Sequence, residues 1–391
     1  MAWGTNAPQG ADDLLSKAQR GGSLCVMPFR RFGAEECAAL CAGLPSTGVL
    51  ELLASGHAIG EAGAAAVGGM LAQYRPLRRL AVGDSSFGDA GADALLRGLG
   101  DAPCGLEALE LDYKGLGEPG ARAVSALLCR AGALRELTLA RNPLQDGGVE
   151  ALGEGLRAAM ALESLDLSES GMTARGVEAL GRAAREGGLR ALRQLRVSRN
   201  AQLRDEGAGA VAALLAALPS LRSCWAEGCE IGAAGGEALG AAAEAACAAG
   251  SALQALHLDG NAALGGGGAV RALAASGLSE LRLGGCGVAE AAAEEMRHVH
   301  PALATLDLHS NQLGPRAAAA LSGMRSLRSL RVFANPLGDQ AAICLAPRHV
   351  HSVGPPRAQR RRPVVEAALC AAAPLLSRQA LGVSSPPHVR R

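Results

Sequence analysis

The sequence predicts an α/β solenoid bent into a horseshoe, with a parallel sheet on its concave side and helices on its convex side. The prediction rests on a repeat, on a change of apolar spacing within it, and on composition. The pattern L-x-x-L-x-L-x-x-(N/C)-x-L-G starts at Val49, Leu77, Leu106, Leu134, Leu162, Leu192, Leu221, Leu253, Leu278, Leu303 and Leu327. Successive starts lie 28 to 32 residues apart up to Leu253, then 24 or 25. Aromatic residues make up 2% of the 391-residue chain, too few for ordinary aromatic-anchored domains, whereas Gly occurs 53 times.

The strand comes first in each unit. In "LRELTL" (134–139), Leu137 and Leu139 are two residues apart, so both side chains point to one face. Each such strand is too short to stand alone and must stack on its neighbours. The turn follows at position nine, held by Asn142, Asn200, Asn261, Asn311 and Asn335. A buried amide there can bond backbone groups that the turn leaves unpaired. Cys229 and Cys286 take the same slot and are expected to fill the turn rather than react. Two copies carry one extra turn residue, before Leu203 and before Leu264.

The helix closes the unit. Val149, Leu152 and Leu156 are spaced by three and four. Small residues, as in "GAAGGEALGAAAEAACAAG" (232–250), let neighbouring helices approach closely. With helices on one side only, the sheet bends toward the other. The repeat domain is expected over 46–346. A cap with a degenerate further copy near Leu24–Leu44 is expected over 1–45, and a basic Pro/Arg-rich tail, disordered or with a short helix near 363–381, over 347–391.

These units resemble the ribonuclease-inhibitor-like class of leucine-rich repeats, which includes ribonuclease inhibitor, the GTPase-activating protein for Ran and the repeat domains of NOD-like receptors. The resemblance covers about residues 46–345 and implies the horseshoe. It implies no single function, because those proteins use the frame differently.

Motifs for chemistry are wanting. The two lysines, Lys17 and Lys114, stand in no G-x-x-x-x-G-K-[ST] loop. "GAGAVA" (207–212) matches G-x-G-x-x-A in form, but the Asn200 turn separates it from its strand. The "RHVH" strings at 297–300 and 348–351 offer His-x-His without third and fourth ligands at metal spacing, so surface histidines are expected. No enzyme, cofactor or metal is expected.

Net charge is +1, but the segment from Pro347 onward carries +7 and the remainder −6. No nucleic-acid partner is therefore expected for the body, whose concave charges are mixed in sign. "RAQRRR" in the tail is a candidate nuclear-import or RNA-touching patch, with a solvated tail the expected role. No secretory start or membrane-spanning run is visible, and eleven scattered cysteines suit a reduced compartment, so a cytoplasmic protein is expected.

Binding is expected on the concave face, at positions two, three, five, seven and eight. Position five reads Ala81, Glu110, Thr138, Asp166, Arg196, Trp225, His257, Arg282, Asp307 and Arg331. Strands ~4.8 Å apart make eleven of them an arc of roughly 50 Å, room for an interface of ~800 Å² per partner. Trp225 is either a binding anchor or a ring lying flat over Arg196 or His257. Tyr113 at position eight and Phe333 at position seven flank it at a distance. Charges alternate in bands: Glu107, Glu110 and Asp112, then Arg135 and Arg141, then Glu163, Asp166 and Glu169, then Arg193, Arg196 and Arg199. Opposite signs on adjacent strands are expected to pair. The expected partner is another protein. A Ran-type GTPase activator and an inhibitor of an enzyme such as a ribonuclease are the alternatives.

Overall fold

The structure, a computed structural model, describes residues 10–18, 20–27, 31–296 and 301–337. The tail from 347 and both "RHVH" strings lie outside the described residues.

The described strands form one parallel sheet in chain order. β1 (Ser23–Cys25), β2 (Glu51–Ser55), β3 (Arg79–Gly83) and β4 (Ala108–Glu110) lead it. β5 (Glu136–Thr138), β6 (Ser164–Asp166), β7 (Gln194–Arg196) and β8 (Ser223–Trp225) form its middle. β9 (Ala255–His257), β10 (Glu280–Arg282), β11 (Thr305–Asp307) and β12 (Ser329–Arg331) complete it. β1 pairs with β2, so the sheet begins before the first full copy of the repeat.

The register explains why the leucines recur. Leu109, Leu137, Leu165, Leu195, Cys224, Leu256, Leu281 and Leu306 are direct cross-strand partners in sequence order. All are buried, and each buried leucine contributes roughly 1.5–3 kcal/mol. No single strand of three residues could hold its register; the stacked row does.

The turn out of six of the strands is strained in the same way. The residue at position eight is left-handed in unit after unit, at Tyr113, Arg141, Glu169, Arg199, Ser310 and Ala334, with φ between 54° and 59°. For a residue with a Cβ this costs about 1 kcal/mol. Position nine offsets the cost. Asn200 Nδ2 donates to the Leu167 and Val197 carbonyls (3.0 and 2.8 Å), and its Oδ1 accepts from the Ser170 and Gly171 amides (2.9 and 2.8 Å). Asn142, Asn261 and Asn311 each repeat this reach into the preceding turn.

Between Asn142 and Asn311 asparagine alternates with a smaller side chain: Ser170, Cys229 and Cys286. The turns at Asn142, Asn200 and Asn261 satisfy an amide internally, through Leu144 to Asn142, Leu203 to Asn200 and Leu264 to Asn261 (2.7, 3.0 and 2.9 Å). They ask less of the unit that follows. In its reduced role, Cys229 Sγ donates to the Val197 carbonyl (3.3 Å) and Cys286 Sγ to that of Leu258 (3.1 Å).

Helices also receive help from the unit before. Asp205 Oδ1 accepts the Gly232 and Gly235 amides (2.7 and 3.0 Å) at the start of the helix Ala233–Ala248. Asp89 does the same for Gly117 and Gly120, and Asp146 for Thr173 and Gly176. A Cβ on Gly235 would lie 2.6 Å from Asp205 Oδ1, so glycine there makes room for the capping carboxylate. The recurring helix-start glycine thus accounts for the G-x-G-x-x-A coincidence: Gly207 packs on Leu203 at the start of the helix Arg204–Ala217.

Candidate functional site

Direct pairing makes position five one continuous row. Asp166 faces Arg196, Arg196 faces Trp225, Trp225 faces His257, His257 faces Arg282, Arg282 faces Asp307, and Asp307 faces Arg331.

At mid-row three side chains stack. The Arg196 guanidinium carbon lies 4.3 Å from the Trp225 ring centroid. On the other flank the His257 ring lies 4.7 Å from that centroid, tilted by 15°. Strand order places Trp225 between the two. Half-buried Trp225 is therefore a ring lying flat between its neighbours as well as a partly open apolar surface.

Exposure along the row is uneven. His257 and Asp307 are each only 4% exposed, although the period of two directs them to the concave side. Bulky neighbours cover them: Trp225 lies over His257, while His309 and Arg331 close on Asp307 (2.7 and 3.6 Å). These two serve the surface by holding the residues above them. Asp166, Arg196 and Arg282 are half-buried, and Arg331 is exposed. Tyr113 is 63% and Phe333 40% exposed, the latter stacked on His309 at 4.8 Å.

Burial sets the electrostatics. Desolvation first, then Arg282 and Arg196 against the opposing Glu280, push the His257 imidazole down to about 4, so it stacks as a neutral ring. Its Nδ1 is buried without a hydrogen-bond partner, and its Nε2 lies 3.9 Å from Glu280. Desolvation raises Asp112, which accepts from Thr138 Oγ1 and the Ala140 amide (2.9 and 2.8 Å).

The charge bands pair along the ladder. Glu163 meets Arg135 and Arg193, and Glu169 meets Arg141 and Arg199 (3.3 and 3.1 Å). These pairs are largely solvated and individually worth about 0–1 kcal/mol, so the face presents mixed charge rather than a basic groove. The buried thiols are held protonated: desolvation pushes Cys224 and Cys286 up to about 12 and Cys229 up to about 11.

Sequence reasoning missed a second cluster beside the row. Asp259, Asp307 and His309 bring ligand-type atoms within 4.8 Å of one another. The recurring Asp-to-glycine caps were visible as a spacing but not recognised as contacts between units.

A curved parallel sheet of repeated strand–turn–helix units with an asparagine ladder defines a leucine-rich repeat protein. The chain is similar to the ribonuclease-inhibitor-like class of such repeats. The Leucine Rich repeat family matches at residues 134–153 and 160–181. Ribonuclease inhibitor of Mus musculus is 32% identical over 102 residues, 26% of this chain and 22% of that protein. That of Sus scrofa is 32% identical over 100 residues, with the same coverage. The chain thus spans about a fifth of the length of these relatives. Among solved structures, a chain of the yeast Rad7–Elc1 complex is similar at TM-score 0.39 and 18% identity, over 77% of this chain and 73% of that one. An internalin of Listeria monocytogenes gives 0.37 and 15%, over 86% of each chain. Among the described residues no helix is long and apolar enough to cross a membrane.

Proposed function

We propose that this chain is a non-catalytic interaction scaffold that binds another protein on its concave face. The preformed Arg196–Trp225–His257 stack at mid-sheet carries the reading. Its aromatic surface is half-buried and held by both neighbours, so a partner that covers it loses little side-chain entropy. Asp166, Arg282 and Arg331 continue the row, and Tyr113 and Phe333 offer apolar surface away from it. The paired charges between them can be borrowed by a partner at small cost. The nine free cysteines of the described residues suit a reduced, cytoplasmic setting. The test compares partner recovery by crosslinking for the intact chain and for Trp225→Ala combined with Arg196→Glu. Recovery falls at least tenfold if the concave row is the interface; unchanged recovery rejects it.

The likeness to two ribonuclease inhibitors favours a second reading, inhibition of a basic ribonuclease by the acidic body, whose charge over residues 1–346 is −6. Titration of the chain into a ribonuclease assay decides it: undiminished activity at excess chain removes this reading and leaves the first. A Ran-type activator would instead accelerate GTP hydrolysis by a small GTPase.

A further inference from the structure

We propose that Asp259, Asp307 and His309 form a binding site for a divalent transition cation of the zinc type. The three belong to two repeats with a third between them. Asp259 follows β9, His309 follows β11, Asp307 lies in β11, and β10 separates them. Side chains two strands apart, roughly 9–10 Å, normally have an intervening side chain between them. Here the intervening residue is Gly284. A Cβ at Gly284 would overlap the His309 ring and lie 2.7 Å from Asp259 Oδ1. The missing side chain is what lets the carboxylate and the imidazole meet.

The donor set is one a zinc-type ion takes: two carboxylates and one imidazole, with water left to complete the shell. Ligand atoms ~2.1 Å from a tetrahedral ion are roughly 3.4 Å apart. The three atoms already lie within 4.8 Å of one another, so shifts of about an ångström bring them onto one centre. His309 Nδ1, now 2.7 Å from Asp307 Oδ1, would exchange its proton for the metal.

Each ligand is also held from outside. The Gly284 amide donates to Asp259 Oδ1 (2.6 Å), the Arg331 guanidinium stands 3.6 Å from Asp307 Oδ2, and Phe333 stacks on the His309 ring. Such outer contacts orient metal ligands and are part of their affinity. Without an ion, His309 Nδ1 and Asp307 Oδ1 share a hydrogen bond, while Asp259 is brought against a second carboxylate.

Zinc titration into the full chain, followed by calorimetry, tests the site, with Co²⁺ as a spectroscopic probe. One ion is expected, with a Co²⁺ spectrum of nitrogen and oxygen ligands and no thiolate charge-transfer band. Asp259→Asn and His309→Gln each weaken binding at least about tenfold, and Gly284→Ala, which leaves all three ligands in the sequence, weakens it comparably. Circular dichroism checks that each variant keeps its fold; if Gly284→Ala does not, the near-isosteric Asp259→Asn decides. A chain that binds no Zn²⁺, a thiolate band, or unchanged affinity in Asp259→Asn and His309→Gln would overturn the proposal.

Discussion

Arg196 and His257 clasp Trp225 from opposite sides, at 4.3 Å and 4.7 Å from its ring centroid, on three consecutive strands. The stack is built from units that contact each other only as neighbours, so its rigidity depends on β7, β8 and β9 staying paired. A cation over an aromatic face is worth about 0.5–1 kcal/mol at a partly exposed site. In a double-mutant cycle, Arg196→Ala and Trp225→Ala should therefore couple by about that amount in urea unfolding of the free chain. Additive single effects would mean that the surface is not preformed.

The asparagine ladder predicts an order of stabilities at position nine. Asn200→Ala strands two carbonyls and two amides in a buried turn. Each unmet group costs about 1–3 kcal/mol, so a loss of at least 3 kcal/mol is expected. Asn200→Cys should lose less, because Cys229 and Cys286 already serve comparable turns with one thiol. Urea unfolding of the three proteins should rank Asn above Cys above Ala. Equal losses for Cys and Ala would show that the thiol contacts contribute nothing.

The leucine row and the turn asparagines were legible because each obeys a period within one unit. Leu137, Leu165 and Leu195 pair as the spacing predicts. The alternation of Asn with Ser or Cys was equally present in the sequence, but its reason lies in which turns bond their own amides. Exposure along position five was less legible: His257 and Asp307 are covered by side chains of neighbouring units or of the same strand's exit, and a period says nothing about a neighbour's bulk. The Asp259–His309 approach was hidden for the same reason, since it requires a glycine in the unit between.

Glycines in the first two turns of a helix should not be equivalent. Gly235 sits against Asp205 Oδ1, Ala208 and Ile231, whereas a Cβ on Gly209 meets nothing within 4 Å. Gly235→Ala should destabilise by about 1–3 kcal/mol through overpacking and a displaced cap. Gly209→Ala, in the helix Arg204–Ala217, should stabilise by up to about 1 kcal/mol. Thermal unfolding of both variants checks the contrast, and a shared sign would refute the capping role of Asp205.

Lys114 predicts a pH dependence. It occupies a position-nine slot, is 3% exposed, and reaches back two units so that Nζ donates to Ser55 Oγ (2.7 Å). Burial lowers its pKa below the ordinary 10.5, against the opposing pull of Asp112, Asp84 and Glu110. A folded-state value below the unfolded one means that the native chain releases this proton first as pH rises. The unfolded chain then holds more protons, so stability rises with pH across the interval just below 10.5. In Lys114→Met this contribution is absent. The stability difference between the intact chain and Lys114→Met should therefore shift in favour of the intact chain as pH climbs toward 10.5. A difference independent of pH in urea titrations would mean that the three carboxylates hold the ammonium at its ordinary acidity and cancel the cost of its burial.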